Sequence, residues 1–413
     1  MDEKLYYSNG PSEWEYRQLG DVVTFQGGSQ PPKKYFSNEK LDGMIRLIQI
    51  RDYKSNSFKT YVPKELCRRF CNSDDIMIGR YGPPIFQILR GIDGAYNVAL
   101  IKAIPNEEVL NKEYLYYFIK NEHLFKLIDG LSQRTSGQTG IDMEVLKKYI
   151  IPIPSKDEQE KIASILSTVD EQIDNVDALI EKNKELKKGL MQTLLTKGIG
   201  HTRFKKTEIG EIPEEWTLVK IGDVAKFQAG YAFKSSDYVD NGVKLVKITN
   251  VQQKDLLWND TDFLPEEFLN KYKEYSLEIN DVIIAMTRPI ISSGIKICKV
   301  KKEDTPALLN QRVGRFITSE NVNNKYLYQY CFSNYFINKV NELCSTTGQP
   351  NISSNQLESI MISLPSTEEQ EKIGSILLNV DEKMEEYENK KQRLEELKKG
   401  LMQQLLTGNI RII

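Results

Sequence analysis

Two short polar loops carry the clearest candidate chemistry in the chain. Residues 134–140 and 345–351 each hold a Gly-Gln pair among Thr and Ser side chains, and the second loop ends in an asparagine. Hydroxyl and amide groups, together with the backbone N–H groups that glycine leaves accessible, can hydrogen-bond phosphate oxygens or base edges. The same residue types also build well-capped turns before a strand. A binding loop and a structural turn are therefore equally good interpretations.

Motifs for bond-making chemistry are missing from the sequence. It holds no G-x-x-x-x-G-K-[ST] loop, no G-x-G-x-x-G and no H-E-x-x-H. The Pro-Pro pairs at 31–32 and 83–84 lack the polar and aromatic neighbours of an amino-methyltransferase motif. His123 and His201, the two histidines, have no catalytic neighbourhood and are interpreted as incidental. We therefore predict a chain that is not an enzyme by itself.

Composition predicts a soluble cytoplasmic protein that contacts no membrane. The 413 residues allow two or three domains, 28% are charged, and no run of 18 apolar residues or signal-like N-terminus is present. Five cysteines without a regular pattern suit a reducing compartment. Cys67 and Cys71 could share a helical face, but no second pair with zinc-ligand spacing follows. We predict no metal site.

Charge is distributed unevenly although the net value is only −2. Residues 31–102 hold 13 basic and 7 acidic side chains, whereas residues 157–188 hold 5 basic and 9 acidic ones. The first segment could therefore face a polyanion, and the second could not.

A long repeated segment must position these loops. Residues 154–197 recur at 365–408, where 24 of 44 positions are identical and Glu-Leu-Lys-Lys-Gly-Leu-Met-Gln forms the longest shared block. Each copy is typical of one long helix. Ser155 with Glu158, and Ser366 with Glu369, have the spacing of a capping box at the helix start.

Both copies show a heptad seam, which is interrupted by Asn183 and Lys187 in the first copy and by Lys391 and Lys398 in the second. The apolar seam positions are Ile162, Leu166, Val169, Ile173, Val176, Ile180, Leu190 and Leu194, then Ile373, Leu377, Val380, Met384, Tyr387, Leu394, Leu401 and Leu405. The first helix enters a second domain that the other helix leaves, so side-by-side pairing must be antiparallel. An ordinary amphipathic helix on its own domain is the less favoured alternative. A helix of about 40 residues spans about 60 Å.

The segments before each long helix are also duplicated. Residues 11–36 match 213–238, including a Trp and a Gly-Asp-Val run, and the strands predicted at 75–78 and 281–284 precede loops that diverge. Helical segments are predicted at 112–127 and 324–343, and last strands at 149–153 and 360–364. The predicted organisation is a domain at 1–154, a helix at 155–197, a linker at 198–212, a domain at 213–365 and a helix at 366–408.

Two variable domains, each followed by a capped helix that ends in E-L-K-K-G-L-M-Q-x-L-L-T, resemble the specificity subunit of type I restriction-modification systems. The resemblance covers essentially the whole chain. It implies an α+β fold in which two similar α/β target recognition domains are separated by two long helices, which form an antiparallel coiled coil with a pseudo-twofold internal repeat. Each domain would recognise one half of a bipartite site in double-stranded DNA.

The resemblance also implies partners. The helices would set the gap between half-sites and dock two modification subunits, which carry the S-adenosylmethionine chemistry. Restriction subunits that act as ATP- and Mg-dependent translocases would join through the complex, and this chain would hold no cofactor. Leu179, Leu186, Met191 and Met402 lie off the seam and would face outward. Gly189 and Gly400 allow close approach of another backbone, or else mark an early end of the helix.

Basic, amide and aromatic side chains in the variable loops are then the candidate DNA contacts. They are Gln30, Lys33, Lys34, Tyr35, Arg51, Tyr53, Lys54, Arg80, Tyr81, Arg134 and Gln138 in the first domain, and Tyr231, Lys234, Asn250, Gln252, Arg288, Thr347, Gln349 and Asn351 in the second. A coiled-coil adaptor whose end domains bind proteins is the main alternative. A self-sufficient methyltransferase is disfavoured by the missing motifs.

Overall fold

The computed structural model describes residues 10–82, 84–132, 140–292, 294–345 and 350–412. The chain divides into two compact units, Met1–Asp177 with Asn389–Ile413, and Ala178–Glu388. Each unit therefore combines one mixed domain of strands and short helices with part of each of the two longest helices.

The first domain contains a sequence of short strands followed by helices, as the duplicated pattern predicts. Its strands are β1 (Glu15–Gln18), β2 (Val23–Gly27), β3 (Met44–Ile48), β4 (Tyr61–Pro63), β5 (Phe70–Cys71), β6 (Ile76–Gly79), β7 (Ile88–Leu89), β8 (Gly94–Tyr96), β9 (Leu100–Pro105) and β10 (Ile150–Ile153). Its helices are α1 (Leu19–Val22), α2 (Lys112–Ile119), α3 (Glu122–Ser132), α4 (Met143–Lys148) and the long α5 (Lys156–Leu194).

The second domain repeats this order with additional short elements. Its strands are β11 (Phe204–Thr207), β12 (Gly210–Pro213), β13 (Thr217–Lys220), β14 (Ala225–Ala229), β15 (Val243–Val246), β16 (Asp262–Leu264), β17 (Val282–Ala285), β18 (Ile290–Ile291), β19 (Gly294–Ile295), β20 (Ile297–Lys299), β21 (Ala307–Leu309), β22 (Val313–Thr318) and β23 (Met361–Leu364). Its helices are α6 (Ile221–Val224), α7 (Phe268–Lys271), α8 (Asn324–Tyr330), α9 (Asn334–Ser345), α10 (Ser354–Glu358) and the long α11 (Thr367–Leu405). The segment predicted as a linker, 198–212, holds most of the β11–β12 hairpin, and Ile212 is buried.

Each domain is built on a central four-stranded antiparallel sheet, ordered β2-β9-β6-β7 in the first and β14-β22-β17-β20 in the second. Alternate residues of one strand face opposite sides. Val282 and Ile284 face the core shared with the long helices, while Ile283 faces a second core. The second core lies toward a smaller sheet in which β15 and β21 are parallel, as β3 and β8 are in the first domain. Both faces of the central sheet are therefore covered.

The repeated Gly-Asp-Val run has a packing explanation. A Cβ added to Gly20 in α1 would lie 2.9 Å from Lys147 Cβ in α4, and one added to Gly222 in α6 would lie 2.9 Å from Glu358 Cβ in α10. These distances are shorter than any ordinary carbon contact. Glycine at both positions lets the two short helices of each pair approach closely.

The segments predicted as helical at 112–127 and 324–343 are helical, and the structure divides each of them into two helices. Asn121 Oδ1 accepts a hydrogen bond from Leu124 N, and Ser333 Oγ accepts one from Phe336 N. Asn and Ser in these roles satisfy N–H groups at a helix start. Each polar residue therefore begins a new helix after a break in the chain direction.

Each long helix begins with half of the predicted capping box. Ser155 Oγ accepts a hydrogen bond from Glu158 N, and Ser366 Oγ accepts one from Glu369 N. The Glu158 carboxylate does not return to the backbone of Ser155, because Trp14 and Arg411 bind it instead. The prediction of where each helix starts is confirmed, and the carboxylate serves a different purpose.

The antiparallel pairing of α5 and α11 is confirmed within each unit. In the first unit Lys391 pairs with Asp177 at 2.7 Å, and Lys398 pairs with Asp170. In the second unit Lys187 pairs with Asp381. The two residue numbers of every pair sum to 568, as a single antiparallel register requires. Three of the polar residues that interrupt the seam are thus lysines held by aspartates of the facing helix.

The apolar seam residues are buried or half-buried throughout. Ile162 and Leu166 also belong to the first domain's core, with Leu405, and Ile373 and Leu377 belong to the second domain's core, with Leu194. The seam is therefore continuous with the domain cores at the start of each helix. Of the predicted outward-facing residues, Leu179 and Leu186 are exposed, whereas Met191 and Met402 are half-buried against the cores.

Within the described ranges, no helix is long and apolar enough to cross a membrane. Cys67 Sγ contacts the Pro63 carbonyl oxygen and Cys71 Sγ contacts that of Ile92, both at hydrogen-bond distance. Among the residues that the structure covers, no group of three or more His, Cys, Asp or Glu side chains could hold a metal ion.

Candidate nucleic-acid interface

Four loops of the second domain meet at one corner of the central sheet. Tyr231 N donates to Leu309 O and Gln311 N donates to Tyr231 O, both at 2.9 Å. Met286 N donates to Arg312 O at 2.9 Å, which joins the loop after β17 to the β21–β22 loop. We call residues 230–231, 286–289, 310–312 and 350–352 the second corner.

The polar loop before α10 completes the second corner. Arg288 N donates to Pro350 O at 2.7 Å, Ile352 N donates to Met286 O at 2.9 Å, and Thr287 pairs with Asn351 as an antiparallel bridge. The segments around Arg288 and Asn351, which are distant in sequence, are therefore adjacent. Arg288 has φ +47°, a left-handed conformation that non-glycine residues adopt only at a cost.

The first domain has the equivalent arrangement. Ser29 N donates to Tyr96 O at 3.1 Å, and Arg80 N donates to Ala99 O at 2.8 Å. Tyr81 pairs with Gly140, the last residue of the first polar loop. Residues 28–29, 80–81, 97–99 and 140 form the first corner. The shared backbone connections hold side chains of different type in the two domains, which is the arrangement expected of a duplicated recognition surface.

The corner arginines lack the carboxylate partner that several other arginines of the two domains have among the described residues, and Arg51, Arg68 and Arg69 share this property. Arg46, Arg90 and Arg315 each form an ion pair with Asp52, Glu113 and Asp281, respectively. By contrast, no carboxylate of the described residues forms an ion pair with Arg80, Arg288 or Arg312. Positive charge that is not neutralised within the protein is available to a phosphate or a base.

Aromatic side chains accompany the unpaired charges. The exposed Tyr231 ring lies 4.6 Å from the Tyr272 ring and 5.5 Å from the Tyr275 ring, and Lys271 Nζ lies 5.2 Å from the Tyr272 ring centre. In the first corner the Arg80 guanidinium lies 5.2 Å from the Tyr81 ring centre. Exposed rings beside cations suit stacking against bases or sugars.

The other predicted contacts lie outside the corners. Exposed residues among them are Gln30, Lys33, Lys34, Tyr35, Arg51, Lys54 and Lys234. Lys33, Lys34 and Tyr35 share one 3₁₀ turn, and Arg51 Nη2 donates to Thr60 Oγ1 at 3.2 Å. Gln252 is half-buried, and its side-chain amide donates to Thr249 O at 2.9 Å. None of these residues forms a backbone hydrogen bond to a corner residue within the described part of the chain, although Gln30 directly follows Ser29, and they remain predictions.

Two predicted contacts are unsuited to the role. Asn250 is buried, its Oδ1 accepts from Lys247 N and its Nδ2 donates to Leu257 O, so both ends of the amide stabilise a turn. Tyr53 packs beside the core of the first domain that includes Ile48, and burial raises the pKa of its hydroxyl. We remove Asn250 from the contact set and retain Tyr53 only as a packing residue. Arg134, Gln138, Thr347 and Gln349 lie outside the described residues.

Sequence reasoning missed Gln311, Arg312 and Val98, which are exposed at the corners. The signal was present, because a short polar run at 310–312 separates two buried strands, β21 and β22. This polar run differs between the two halves of the chain, so the internal repeat does not indicate it.

Each unit also has a groove beside the end of a long helix. In the first unit a groove of about 720 Å³ lies between α11 and the start of α3, and in the second a groove of about 440 Å³ lies between α5 and the start of α9. Six residues of the wall formed by the long helix and its end are identical in both, since Lys398, Lys399, Met402, Gln403, Leu406 and Thr407 match Lys187, Lys188, Met191, Gln192, Leu195 and Thr196, whereas Glu395 of the first groove corresponds to Lys184 of the second. The opposite wall is polar in the first unit, with Lys120, His123 and Lys126, and largely apolar in the second, with Phe332, Tyr335 and Ile337.

Comparison with known proteins agrees with this architecture. A family model described as the type I restriction modification DNA specificity domain matches the chain twice, over residues 11–186 and 213–398. The type I restriction enzyme MjaVIII specificity subunit of Methanocaldococcus jannaschii is 36% identical over 97% of this chain and 94% of its own length. The putative MjaX specificity subunit of the same organism is 29% identical over 97% of this chain and 95% of its own length.

The fold has a solved counterpart. A crystal structure of a type I restriction-modification system S subunit from M. genitalium covers 98% of this chain and 99% of its own, with a TM-score of 0.65 and 18% sequence identity. This chain belongs to the family of type I restriction-modification DNA specificity subunits, with two repeated recognition domains. The alternative of a coiled-coil adaptor is not favoured.

Proposed function

We propose that this chain recognises double-stranded DNA at a bipartite site and that each corner contacts one half-site. The observation that carries the proposal is the duplicated corner, where the same backbone connections present unpaired Arg80 in one domain and unpaired Arg288 and Arg312 in the other. Arginine can bind guanine O6 and N7 together, and such a pair discriminates against a wrong base by about 1–3 kcal/mol. Different side chains on one frame let the two domains recognise different sequences.

The long helices set the gap between the half-sites in this proposal. Both α5 and α11 contain 39 residues, which corresponds to about 58 Å at about 1.5 Å for each residue. Ion pairs in both units hold one register. A change in the length of both helices should therefore change the accepted gap without changing either half-site.

The two grooves are proposed as docking surfaces for two modification subunits. The six helix-wall residues that the grooves share combine apolar Met and Leu side chains with Lys188 or Lys399, so they suit an amphipathic helix with acidic side chains. Methyl transfer from S-adenosylmethionine, and ATP- and Mg-dependent translocation by restriction subunits, would then belong to the partners. The chain itself would act in the cytoplasm as a non-catalytic subunit without a cofactor.

Mapping of modified adenines in the host genome tests the recognition proposal and defines the site. We expect a bipartite motif with a fixed gap, which disappears when the gene for this chain is deleted. A continuous motif, or an unchanged pattern after deletion, would contradict the proposal.

Insertion of one heptad in each helix tests the spacing. Placed after Ala178 and after Asn389, the two insertions keep the register that pairs Lys187 with Asp381 and Lys398 with Asp170. We expect the accepted gap to lengthen by about 3 base pairs, since seven residues add about 10 Å. Insertion in α5 alone is the matched control, because it breaks the register and should reduce methylation at every gap. An unchanged gap with both insertions would exclude the helices as the spacer.

A further inference from the structure

The second recognition domain is attached to α11 through a lysine in an unfavourable backbone conformation. Lys254 lies at the tip of a tight turn closed by the Val251–Leu256 bridge, with φ +73°, where glycine is the usual residue. Its N–H donates to Ile297 O at 2.7 Å, which places the turn beside the edge strand β20. A side chain kept where it costs free energy indicates a role for that side chain.

The Lys254 side chain reaches the long helix. Its Nζ lies 2.7 Å from Asp381 Oδ1, while Asp381 Oδ2 accepts from Lys187 on the facing helix and from the buried Gln329 at 2.9 Å. One aspartate therefore joins three structural elements, namely the turn at the sheet edge, α8 and the pair of long helices. Asp381 is largely buried, so these interactions are only weakly screened by solvent.

A second contact fixes the same face. Lys301 Nζ lies 3.1 Å from Glu385 Oε1, one helical turn after Asp381, and 2.9 Å from Asp255 beside Lys254. Two points on adjacent turns of α11 define an orientation, whereas one point would allow rotation about it.

The first domain lacks such an attachment. Asp170, the repeat equivalent of Asp381, binds Lys398 and the Tyr117 hydroxyl, both outside the central sheet and its loops. In the described part of the first unit, no hydrogen bond or ion pair joins residues 23–105 to α5 or α11. The sheet is held through α2 instead, where Arg90 pairs with Glu113 and Lys112 with Asp74 and Asp75.

We propose that Lys254, supported by Lys301, is a positioning residue that fixes the orientation of the second recognition domain on α11 and thereby sharpens the gap between half-sites. The inference rests on the proposed function, and it adds that gap discrimination depends on this attachment as well as on helix length. Lys254 acts through Asp381 and is not itself a DNA contact.

The test is methylation by the complete complex on duplexes that carry the mapped half-sites at the native gap and at gaps one base pair shorter or longer. For Lys254→Ala we expect at least fivefold weaker discrimination between gaps, with the preferred sequence of both half-sites unchanged. Lys254→Gly removes the same contact but relieves the backbone strain. It should therefore show the same loss of gap discrimination in a domain that is more stable than that of Lys254→Ala. Lys254→Arg should restore discrimination, and Lys301→Met should reproduce part of the loss.

Lys226→Ala, at an exposed lysine on β14, is the matched control and should leave gap discrimination unchanged. If Lys254→Ala and Lys254→Gly both keep the native gap preference, the inference fails while the proposed function stands. If they lose the second half-site sequence instead, Lys254 shapes the recognition surface and the positioning role is also wrong. A wild-type complex that shows no gap dependence would remove the proposed function and this inference together.

Discussion

In each unit a tryptophan, a glutamate at the start of one long helix and a cation that follows the end of the other form a cluster, which we call the closure, and the cation differs between the units. In the first unit the Glu158 carboxylate accepts from Trp14 Nε1 at 3.0 Å and binds Arg411 through Nε and Nη2. In the second unit the Glu369 carboxylate accepts from Trp216 Nε1 at 3.1 Å and faces His201 Nε2, also at 3.1 Å. One closure therefore uses a permanent cation and the other a titratable one.

The chain reaches each closure through a left-handed glycine after the long helix. Gly198 has φ +66° and Gly408 has φ +75°. A Cβ at Gly198 would lie 2.5 Å from Glu369 Oε1, and a Cβ at Gly408 would lie 2.4 Å from Pro11 Cδ. Both the conformation and the space require glycine. The duplication thus kept a left-handed glycine, the tryptophan and the glutamate, whereas the cation differs and Lys197 makes the turn of the second unit one residue longer.

Charge in the two closures responds differently to pH. Burial favours the neutral acid of Glu158, but hydrogen bonds from Arg411 and Trp14 outweigh it and hold its pKa below the ordinary value. Hydrogen bonding to Glu369 raises the pKa of His201, with a further contribution from Glu215, whose Oε2 lies 2.7 Å from Nδ1. Stability from a raised histidine pKa is complete below the unfolded-state pKa and is lost as the pH rises through the folded-state pKa. The second closure should therefore weaken at alkaline pH, and the first should not.

Removal of the carboxylate charge should give the largest effect. At pH 9 we expect Glu158→Gln to lower the free energy of unfolding of the first unit by about 2–3 kcal/mol, because it removes a charge-assisted pair with arginine. Glu369→Gln should cost the second unit less, about 1 kcal/mol, since His201 loses its charge as the pH rises whereas Arg411 does not. Urea unfolding followed by tryptophan fluorescence measures each closure in variants that keep only Trp14 or only Trp216.

Glu15→Gln is the control for the charge change itself, because the Glu15–Arg17 pair is exposed and should contribute little. If Glu158→Gln and Glu369→Gln lower the free energy of unfolding equally at pH 9, then Arg411 and His201 stabilise their closures equally, and the proposed difference between the two closures is wrong.

Exchange of the cations should give a smaller and more specific effect. In His201→Arg the second unit should lose the decline in stability between pH 6 and pH 9, because arginine stays protonated throughout this range. The reciprocal variant Arg411→His should introduce such a decline into the first unit. The same fluorescence titration at both pH values measures the two slopes. A wild-type second unit with no slope would show that His201 does not stabilise the closure through its charge.

The closures also show how far sequence reasoning extends. The duplicated tryptophan, the capped helices, the heptad seam and the antiparallel pairing were all predicted, because each leaves a periodic or repeated signal. The hydrogen-bond partners of the Glu158 carboxylate were not predicted, since Trp14 and Arg411 lie 144 and 253 residues away in sequence. The structural role of His201 was not predicted for the same reason. Its partner Glu369 lies 168 residues further along the chain.

The candidate nucleic-acid interface shows the same contrast between residues that a sequence pattern predicts and residues that only tertiary contacts identify. Arg80 and Arg288 could be selected because they follow predicted buried strands, and the structure places both at corners. The sequence could not identify Gln311 and Arg312 as corner residues, because backbone hydrogen bonds with Tyr231 and Met286, in loops distant in sequence, place them there. Asn250 was selected by residue type, and its burial inside a turn could not be foreseen. Residue type therefore predicted the chemistry of the surface, and tertiary contacts decided which residues form it.

The smallest expected effect concerns the mid-helix glycines, which occupy equivalent positions in the two units. A Cβ at Gly189 or Gly400 meets nothing within 4 Å, and both helices continue past them, so an early helix end is excluded. Gly189→Ala and Gly400→Ala should each stabilise their own unit by about 0.5–1 kcal/mol, because alanine is the better helix former. Neither glycine lines a groove, so each substitution should also weaken assembly if a docked modification subunit extends from the groove over the adjoining helix face.

Asn175→Ala, at an exposed position of α5 away from the grooves, provides the matched control for this last comparison. It should stabilise the helix and leave assembly unchanged. The control thus distinguishes an effect of helix propensity from an effect of added side-chain atoms on the approach of a modification subunit. Titration of the chain with modification subunit, followed by analytical ultracentrifugation, measures the affinity of each docking step. We expect Gly189→Ala and Gly400→Ala to weaken one step each, since the two grooves share one helix wall. Loss confined to one variant would indicate that the differing opposite walls, polar in the first unit and apolar in the second, select where a partner binds.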